Sequence, residues 1–557
     1  MQTKRIAKFY PLILFILFLS VYLTTFTQTH RCFNQDGLEN MQFISSEDFQ
    51  IFNARDIGYR ITGRFIYDVF KLLGWQGSAM IPLQSLSAFF GAIAVVCIYL
   101  IIFKIINNYS LAFIISLFFG FSHSFWFFST EATGRIYCLF FGLLSLLFLF
   151  YRFNFKQSYI YLMVFSFSVS SVIDSSSLLF LPLLILGIIL INENRKQSYK
   201  DALIFAAFSL AIMAVFHLAL YTIKYSSISL SGLFGFIFNK SPSKGLSFSK
   251  MFFTAWESLI ANGNIHSDSI RLMFFPGNIL ELHRGFIVFF SALAGFIIIS
   301  LVFLRKKVSF FHRKIIIWML LFLFLPLPFF AYQEANALEY YIISLVPFWI
   351  IVAVVCYYLI KRFRVINYLL PVVLVVFVFN NFLFSIFPRT DARNSFYYPH
   401  YKYLKKDFNS QELTIVFTFD YIFSLNMRII DSRLKTNIHK QAIFIDNYSK
   451  INDKYYEYLL KEVAAYDKVK IVFLLCSPVK SPDRIKVIND QINRYKYIYS
   501  DFIFDVVLLN RCPWISEYIG RYVDFQEFLL GIGNLGFKPL FMSEGPFEDI
   551  VSIEFRK

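Results

Sequence analysis

Long runs of apolar residues, separated by short polar segments, fill the chain up to about residue 387. A helix needs about 20 apolar residues to cross the hydrocarbon core of a bilayer. The runs predict eleven transmembrane helices, at 9–28, 79–103, 109–127, 136–151, 158–173, 176–192, 202–222, 286–304, 315–331, 341–360 and 365–386. The pattern therefore predicts a polytopic α-helical membrane protein with a transmembrane domain over residues 1–386.

Positive charge recurs in every second connection between these runs. Because Lys and Arg favour the cytoplasmic side of a membrane, the N-terminus is predicted to lie in the cytoplasm. Eleven spans then place the C-terminus outside, in a multi-pass protein of the plasma (inner) membrane. The basic residues that carry this prediction are Lys4, Arg5, Lys8, Lys104, Arg152, Lys156, Arg195, Lys196, Lys200, Arg305, Lys306, Lys307, Arg313, Lys314, Lys361, Arg362 and Arg364.

Three long segments fall on the predicted outer side, at 29–78, 223–285 and 387–557. The first contains apolar residues at helical spacing, with charged residues on the other face, which predicts an amphipathic helix in the membrane interface. Its apolar face comprises Ile61, Phe65, Ile66, Val69, Phe70 and Leu73, and its charged face Arg60, Arg64, Asp68 and Lys71.

The tail, 387–557, has ordinary polarity and alternates two kinds of segment. Strand-like runs occur at 414–419, 442–445, 470–475 and 502–509, and helix-like runs at 455–466 and 483–495. This alternation predicts a small extracytoplasmic α/β domain.

Composition agrees with a membrane protein, since 57% of the 557 residues are hydrophobic and 16% are charged, against about 25% charged in soluble domains. The net charge of +17 sits in the connections between spans, a pattern that argues against nucleic acid as a partner. The six cysteines have no metal-type spacing. Cys97, Cys138 and Cys356 lie in apolar runs, and Cys32, Cys476 and Cys512 lie on the predicted outer side of the membrane. There Cys476 and Cys512 could form a disulfide or stay as two free thiols, and the sequence leaves both alternatives open.

Asp36 and Glu39 form the first candidate for chemistry, about eight residues beyond the first span. A three-residue spacing puts both carboxylates on one helix face. Such a pair can take a proton from an acceptor or bind a divalent cation, Mg²⁺ or Mn²⁺. An acidic, solvated loop is the alternative interpretation.

The second candidate is the outer turn Trp126–Tyr137, with the sequence WFFSTEATGRIY. Arg135 stands at the outer start of a span, where it could hold a lipid-linked phosphate by a bidentate contact. Snorkelling to lipid head groups, or pairing with Glu131 four residues earlier, is the alternative. Glu339 and Tyr340 form a third candidate, which could line a surface cavity or cap a helix; Asp174 is a further polar residue at this level.

This order of features resembles the GT-C membrane glycosyltransferases, especially bacterial relatives of the protein O-mannosyltransferases. The resemblance is carried by Gln35-Asp36-Gly37-Leu38-Glu39, the outer amphipathic helix, the small-residue segment 82–92, the turn 125–137, and Glu339-Tyr-Tyr-Ile-Ile-Ser-Leu-Val-Pro347. Family members often carry His ahead of the amphipathic helix, where this chain reads Gly58-Tyr-Arg-Ile-Thr-Gly-Arg64, and this departure leaves the acceptor class open.

The resemblance implies transfer of a sugar from a polyprenyl-phosphate carrier to an extracytoplasmic protein, lipid or glycan, with inversion. It implies that Asp36, or else Glu39, acts near the acceptor and that Arg135 meets the donor phosphate. Further donor-binding candidates are Glu131, Tyr137, Arg64, Glu339 and Tyr340. A transporter or lipid flippase, and a non-catalytic envelope-polysaccharide assembly protein, are the alternative functions; a transporter favours polar, broken helices near the midplane.

Overall fold

The chain divides into two units, Met1–Thr27 with Phe33–Asp391, and Gln28–Cys32 with Ala392–Lys557. The structure is a computed structural model. It describes residues 7–28, 35–45, 57–154, 158–174, 177–178, 180–191, 194–225, 248–260, 288, 290–297, 299–300, 307–328, 338–390, 412–418, 442–446, 461, 463–466, 468–474, 538–544 and 550–556.

The first unit is a bundle of helices. Within the described residues, five helices are long and apolar enough to cross a membrane, and a bent pair makes a sixth. The helices are α1 Tyr10–Thr24, α2 Gln35–Ser45, α3 Ile57–Leu72, α4 Met80–Ile106, α5 Tyr109–Gly120, α6 His123–Ser129, α7 Arg135–Asn154, α8 Tyr159–Ile173, α9 Phe180–Ile191, α10 Arg195–Tyr225, α11 Phe248–Leu259, α12 Phe310–Phe324, α13 Leu338–Arg362, α14 Ile366–Asn381, a π-helix Phe382–Ile386 and α15 Phe387–Arg389.

The helices run back and forth, so their connections gather at two ends. One end, which we call the basic end, is where α4, α7, α9 and α13 end and where α5, α8, α10 and α14 begin. There Asn107 takes a left-handed conformation (φ 49°) and Asn108 caps α5 by accepting from Leu111 N at 3.1 Å, which suits a tight turn. Arg152 pairs with Asp201 at 3.0 Å. The described helix ends that meet here contain Lys104, Arg152, Arg195, Lys361 and Arg362.

The opposite end, the loop end, is formed by α2, α3, the turn 130–134, Asp174, α11 and α15. Side chains of α4 hydrogen-bond to the turn. The buried Gln84 amide donates to the carbonyl oxygens of Thr27 (2.8 Å) and Thr130 (3.0 Å). The Ser87 hydroxyl donates to Thr133 O at 3.2 Å. Two polar side chains of a mainly apolar span thus fix the turn that follows α6.

The predicted amphipathic helix is α3, and its apolar face is exposed: Phe65 is 65% and Leu73, just beyond its end, 80% accessible. Two residues of the charged face, Arg60 and Arg64, contact α2. Arg60 is buried and donates from Nε to Asn40 Oδ1 at 3.1 Å, with its guanidinium 4.5 Å from the Phe43 ring centroid. An exposed apolar face of this kind suits contact with lipid at the interface.

Close packing between α9 and α12 makes a stability prediction. A Cβ on Gly187 would lie 2.2 Å from Trp318 Cζ2, and the fully buried Trp318 is fixed by its hydrogen bond to Leu183 O at 2.8 Å. We expect Gly187→Ala to destabilise the protein by about 1–3 kcal/mol through overpacking. Gly295→Ala is the control, because no atom of the described residues lies within 4 Å of its Cβ position. Thermal melts of both variants in detergent test this, and equal melting temperatures would contradict it.

The second unit contains a mixed five-stranded sheet in the order β2-β1-β3-β5-β4. Its strands are β1 Glu412–Thr418, β2 Ala442–Asp446, β3 Lys468–Leu474, β4 Lys538–Glu544 and β5 Ile550–Arg556. The first three pair in parallel and β5 is antiparallel to β3 and β4. Three predicted strands coincide with β1, β2 and β3; the predicted strand 502–509 and helix 483–495, most of helix 455–466, and Cys32, Cys476 and Cys512 lie outside the described residues.

Candidate active site

Helix α2 brings the acidic motif to the turn that precedes α7. A Cβ on Gly37 would lie 3.3 Å from the carbonyl oxygen of Ala132 and 3.7 Å from Glu131 Oε2. Glycine suits this close approach, because a Cβ at this position would make the Ala132 carbonyl give way by a few tenths of an ångström. Asp36 and Glu39 are helical residues of α2, and their side chains lie outside the described residues. Two segments that the sequence analysis selected separately are therefore neighbours in the fold.

Helix α3 closes the other side of the same turn. A Cβ on Gly134 would lie 3.0 Å from the Tyr59 Cβ, and one on Gly58 would lie 3.1 Å from the Ile173 Cα. The start of α3 therefore fits between the turn and the end of α8. These backbone contacts make α2, α3 and the turn one assembly at the loop end.

Arg135 forms an ion pair with Asp174, which follows α8. Their side chains are only 14% and 6% exposed, so the pair is largely shielded from solvent, where charge-assisted contacts are strong. Asp174 was a minor candidate from the sequence, and pairing with Glu131 at i, i+4 was one of the alternatives for Arg135. The observed pair fixes the guanidinium of Arg135 at the loop end, since a bound carboxylate leaves it few orientations.

Two further donor-binding candidates brace this assembly. Tyr137 is buried, its hydroxyl lies 3.4 Å from Thr62 Oγ1, and its ring packs 4.3 Å from that of Phe90. Arg64 donates from Nε to both carboxylate oxygens of Asp68 at 3.1 Å and from Nη1 to Ile44 O at 3.1 Å. Arg64 thus joins α3 to α2 in the structure, and its predicted contact with a donor stays a prediction.

The third sequence candidate lies at the start of α13. Glu339 and Tyr340 are helical there, and their side chains lie outside the described residues. The next residue, Tyr341, is buried and its carbonyl oxygen accepts from Ser258 Oγ at 3.3 Å. The backbone of this segment is therefore next to α11, at the loop end.

A charged cluster that the sequence analysis missed lies at the same end. Arg389 is 3% exposed and stacks its guanidinium 4.0 Å from the ring centroid of Phe127. Burial lowers the pKa of Arg389 to about 10, while the carboxylates of Glu131 and Glu257 raise it. Glu131 and Glu257 are themselves buried, at 1% and 4% exposure. Arg389 therefore stays charged at neutral pH between two buried carboxylates.

Metal binding stays a prediction. Among the residues with described side chains, no group of three His, Cys, Asp or Glu side chains could hold a metal ion. The predicted Mg²⁺ or Mn²⁺ ligands, Asp36 and Glu39, are not in that set. The neighbouring Glu131 is an oxygen ligand of the kind that these cations prefer.

An apolar groove of about 380 Å³ extends along the bundle beside this site. Rim residues such as Phe296, Phe363 and Leu369 are about half exposed, so the groove opens to the side of the bundle. Trp256 and Leu259 of α11 line the groove, and Glu257 of the same helix belongs to the charged cluster. Its other lining residues are Ile115, Phe118, Ile260, Phe290, Leu293, Ala294, Ile297, Phe348, Trp349, Val352, Cys356, Leu359, Val365, Ile366, Leu370, Val373 and Phe377.

No protein-family model and no curated protein sequence matches the chain. Among solved structures, ArnT from Cupriavidus metallidurans in the apo state aligns with a TM-score of 0.50 and 10% identity, over 86% of this chain and 94% of ArnT. ArnT bound to undecaprenyl phosphate aligns over the same shares with a TM-score of 0.48 and 10% identity. The S. cerevisiae protein O-mannosyltransferase Pmt1-Pmt2 complex bound to the sugar donor gives 0.32 and 13% identity, over 46% of this chain and 37% of that chain.

At these identities the likeness concerns the fold alone, and the alignment with apo ArnT is the one that supports it. The chain is a multi-pass helical membrane protein with a fold similar to that of ArnT, and the predicted structural resemblance to the GT-C membrane glycosyltransferases is confirmed at the level of the fold.

Proposed function

We propose that this chain is an integral membrane glycosyltransferase that moves a sugar from a polyprenyl-phosphate carrier to an extracytoplasmic acceptor. One observation carries the proposal: α2, with Asp36 and Glu39, packs against the turn that leads from Glu131 to Arg135. A carboxylate for the acceptor and a guanidinium for the donor phosphate thus come from neighbouring segments. The fold similarity to ArnT, one form of which is bound to undecaprenyl phosphate, supports the proposal.

The donor needs a site for its charge and another for its tail. In the proposal, Arg135 binds the phosphate, because a guanidinium presents a planar fork that fits phosphate oxygens. Asp174 holds this fork in place. The lipid tail lies in the side-opening apolar groove, whose lining is almost wholly hydrocarbon. A tail that enters the groove exchanges contacts with membrane lipid for contacts with the apolar lining.

Asp36 is the proposed general base, with Glu39 as the second choice. The acceptor hydroxyl attacks the anomeric carbon and gives its proton to the carboxylate. The bond from that carbon to the phosphate oxygen breaks, and the electron pair leaves with the polyprenyl phosphate. Attack opposite the leaving group inverts the anomeric centre. The leaving phosphate gains negative charge as this bond breaks, so Arg135 stabilises the transition state more than the bound donor.

Eleven spans with the N-terminus inside and the C-terminal α/β domain (387–557) outside complete the proposal. The basic residues at the helix ends of the basic end, such as Lys104, Arg152 and Arg362, support this orientation, because cytoplasmic connections carry an excess of Lys and Arg. The site is then at the outer surface, where the acceptor protein, lipid or cell-surface glycan is found. Cysteine labelling with a membrane-impermeant thiol reagent at 334 and at 363 tests the sidedness, and labelling at 363 in intact cells would contradict it.

The function is tested by transfer in membranes that contain the overexpressed chain. We expect label to move from a polyprenyl-phosphate sugar to a membrane or envelope acceptor, and we expect a deletion strain to lack one glycan of its parent. A flippase would move the donor lipid across the bilayer without forming a new glycosidic bond. Loss of the glycan with donor flipping, and without transfer by the purified chain, would therefore overturn the proposal. Rates with EDTA and with added Mg²⁺ or Mn²⁺ decide the metal requirement.

A further inference from the structure

The end of the last span carries buried polar residues at intervals of four. Asn381, Ser385 and Arg389 are 0%, 1% and 3% exposed, in a stretch that is otherwise mainly apolar. We call these three residues the polar stripe. Between its first and last members the chain forms a π-helix, Phe382–Ile386. Such a turn is rare and is found frequently at functional sites.

The first two members of the polar stripe bind the break between α5 and α6. The Asn381 amide donates to the carbonyl oxygens of Phe121 at 2.9 Å and Leu259 at 3.0 Å. His123 Nδ1 donates to Glu257 O at 2.7 Å, so in the neutral ring its Nε2 accepts from the Ser385 hydroxyl, also at 2.7 Å. The last span, the broken span and α11 are therefore joined by hydrogen bonds in the interior of the bundle.

Arg389, the third member, binds the segment that follows the break. Its guanidinium stacks on Phe127 and is attracted by Glu131, four residues further along. Its Nε finds no hydrogen-bond partner in the described part of the chain. Burial of a cation costs several kcal/mol unless neighbouring charges compensate. The attraction of two carboxylates and one aromatic ring provides that compensation here.

Glu131 carries the effect of Arg389 to the acidic motif. Its Oε2 lies 3.7 Å from the position of a Cβ on Gly37, next to Asp36 in α2. A shift of the Glu131 side chain or of its backbone therefore changes the surface against which α2 rests. Arg389 reaches the turn through Phe127, on which its guanidinium stacks and whose carbonyl oxygen accepts from Thr130 N at 3.0 Å, and through its attraction to Glu131.

From these contacts we infer that Arg389 is a positioning residue for the proposed transfer. It fixes Glu131 and the turn 130–134, and through them the surface against which α2, the helix of Asp36, packs. This inference rests on the proposed function for its effect on rate. The inference leaves the donor phosphate to Arg135.

The test compares Arg389→Met with Arg389→Lys in the purified full-length protein. We expect Arg389→Met to lower kcat about 100-fold, the loss that a small misplacement of a catalytic group can cause, with little change in the KM for the donor. Arg389→Lys keeps the positive charge and should recover most of this loss. A wild-type kcat in Arg389→Met, or a loss that appears only in the donor KM, would overturn the inference.

Two further variants separate positioning from folding. Arg152→Met removes a guanidinium that is paired with a buried carboxylate at the basic end, and we expect it to lower the melting temperature without changing kcat. If Arg389→Met does not fold, the double variant Arg389→Met with Glu257→Gln is measured instead. It removes one of the two carboxylates that lose their positive neighbour in the single variant. We expect this double variant to regain the fold and to keep the low kcat. Recovery of kcat with the fold would show that Arg389 is only structural.

Thermal melts test the contact without any donor. If Arg389 and Glu131 are coupled, Glu131→Gln lowers the melting temperature of the wild type but not that of Arg389→Met, because the latter has already lost the pair. Equal losses in both backgrounds would contradict the coupling. If the two residues are coupled but the protein transfers no sugar, the proposed function is wrong and the interaction of Arg389 with Glu131 is supported. If the protein transfers sugar but the two residues are not coupled, the proposed function is supported and the positioning role of Arg389 is wrong.

Discussion

Replacement of Asp36 by Asn is expected to lower kcat for sugar transfer by about 10³-fold, within the range found when a general base is removed. Asn keeps the shape of the side chain but cannot take the proton of the acceptor hydroxyl. Glu39→Gln, one helical turn further along α2, should cost much less, because Glu39 is the second choice for this role. Initial rates with labelled polyprenyl-phosphate sugar and protein in nanodiscs provide the measurement.

Asp68→Asn is the matched control for these variants. Asp68 lies on the neighbouring α3, its side chain is 48% exposed, and its pair with Arg64 is local, so its loss should cost about 0–1 kcal/mol of stability. A larger loss in Glu39→Gln than in Asp36→Asn would exchange the two roles. Undiminished transfer by the double variant Asp36→Asn with Glu39→Gln would remove both.

Hydrophobic pattern predicted the helical bundle well because burial in lipid depends on a run of apolar residues, which a sequence displays directly. It could not show the break in the run 109–127. There α5 and α6 meet at an angle of 68°, although the run predicts one span. The bend depends on partners that are distant in sequence, such as Trp349, whose Nε1 donates to Ser122 Oγ at 2.9 Å, and Ser385 against His123.

The orientation of α3 shows the same limit. Periodicity predicted its two faces, and Phe65 is exposed as a lipid-facing residue should be. Arg60 of the charged face is buried, because Asn40 and Phe43 of α2 receive its guanidinium. A periodic pattern separates two faces of a helix but does not state which neighbour covers each.

The sequence predicted several residues of the site but not which of them form pairs. The sequence analysis selected the acidic motif, the turn before α7 and Asp174, because polar residues at span ends are costly near a bilayer. The pairing of Arg135 with Asp174 joins residues 39 positions apart, which no local spacing reveals. The polar stripe was visible as Asn381, Ser385 and Arg389 at intervals of four within an apolar run, and this helical spacing was the signal for Arg389.

Removal of the Arg135 guanidinium is expected to have the second largest effect on transfer. Arg135→Gln should lower kcat/KM about 10²–10³-fold, as the loss of a preorganised electrostatic contact does. The fall should appear in kcat as well as in KM, because the departing phosphate carries more negative charge than the bound donor. The kcat/KM of Arg135→Lys should lie between that of the wild type and that of Arg135→Gln, since an ammonium keeps the charge but loses the planar fork.

The effect of Arg135→Gln on protein stability has to be separated from its effect on the transfer rate. This variant leaves the carboxylate of Asp174, which is only 6% exposed, without its ion-pair partner. An unpaired buried charge of this kind costs about 3–5 kcal/mol. The double variant Arg135→Gln with Asp174→Asn removes both charges and should restore the melting temperature while transfer stays low. Arg362→Gln, an exposed change at the end of α13, should leave both quantities unchanged. If the double variant instead transfers sugar at the wild-type rate, Arg135 does not bind the donor phosphate, and the guanidinium serves only to hold α7 against the end of α8.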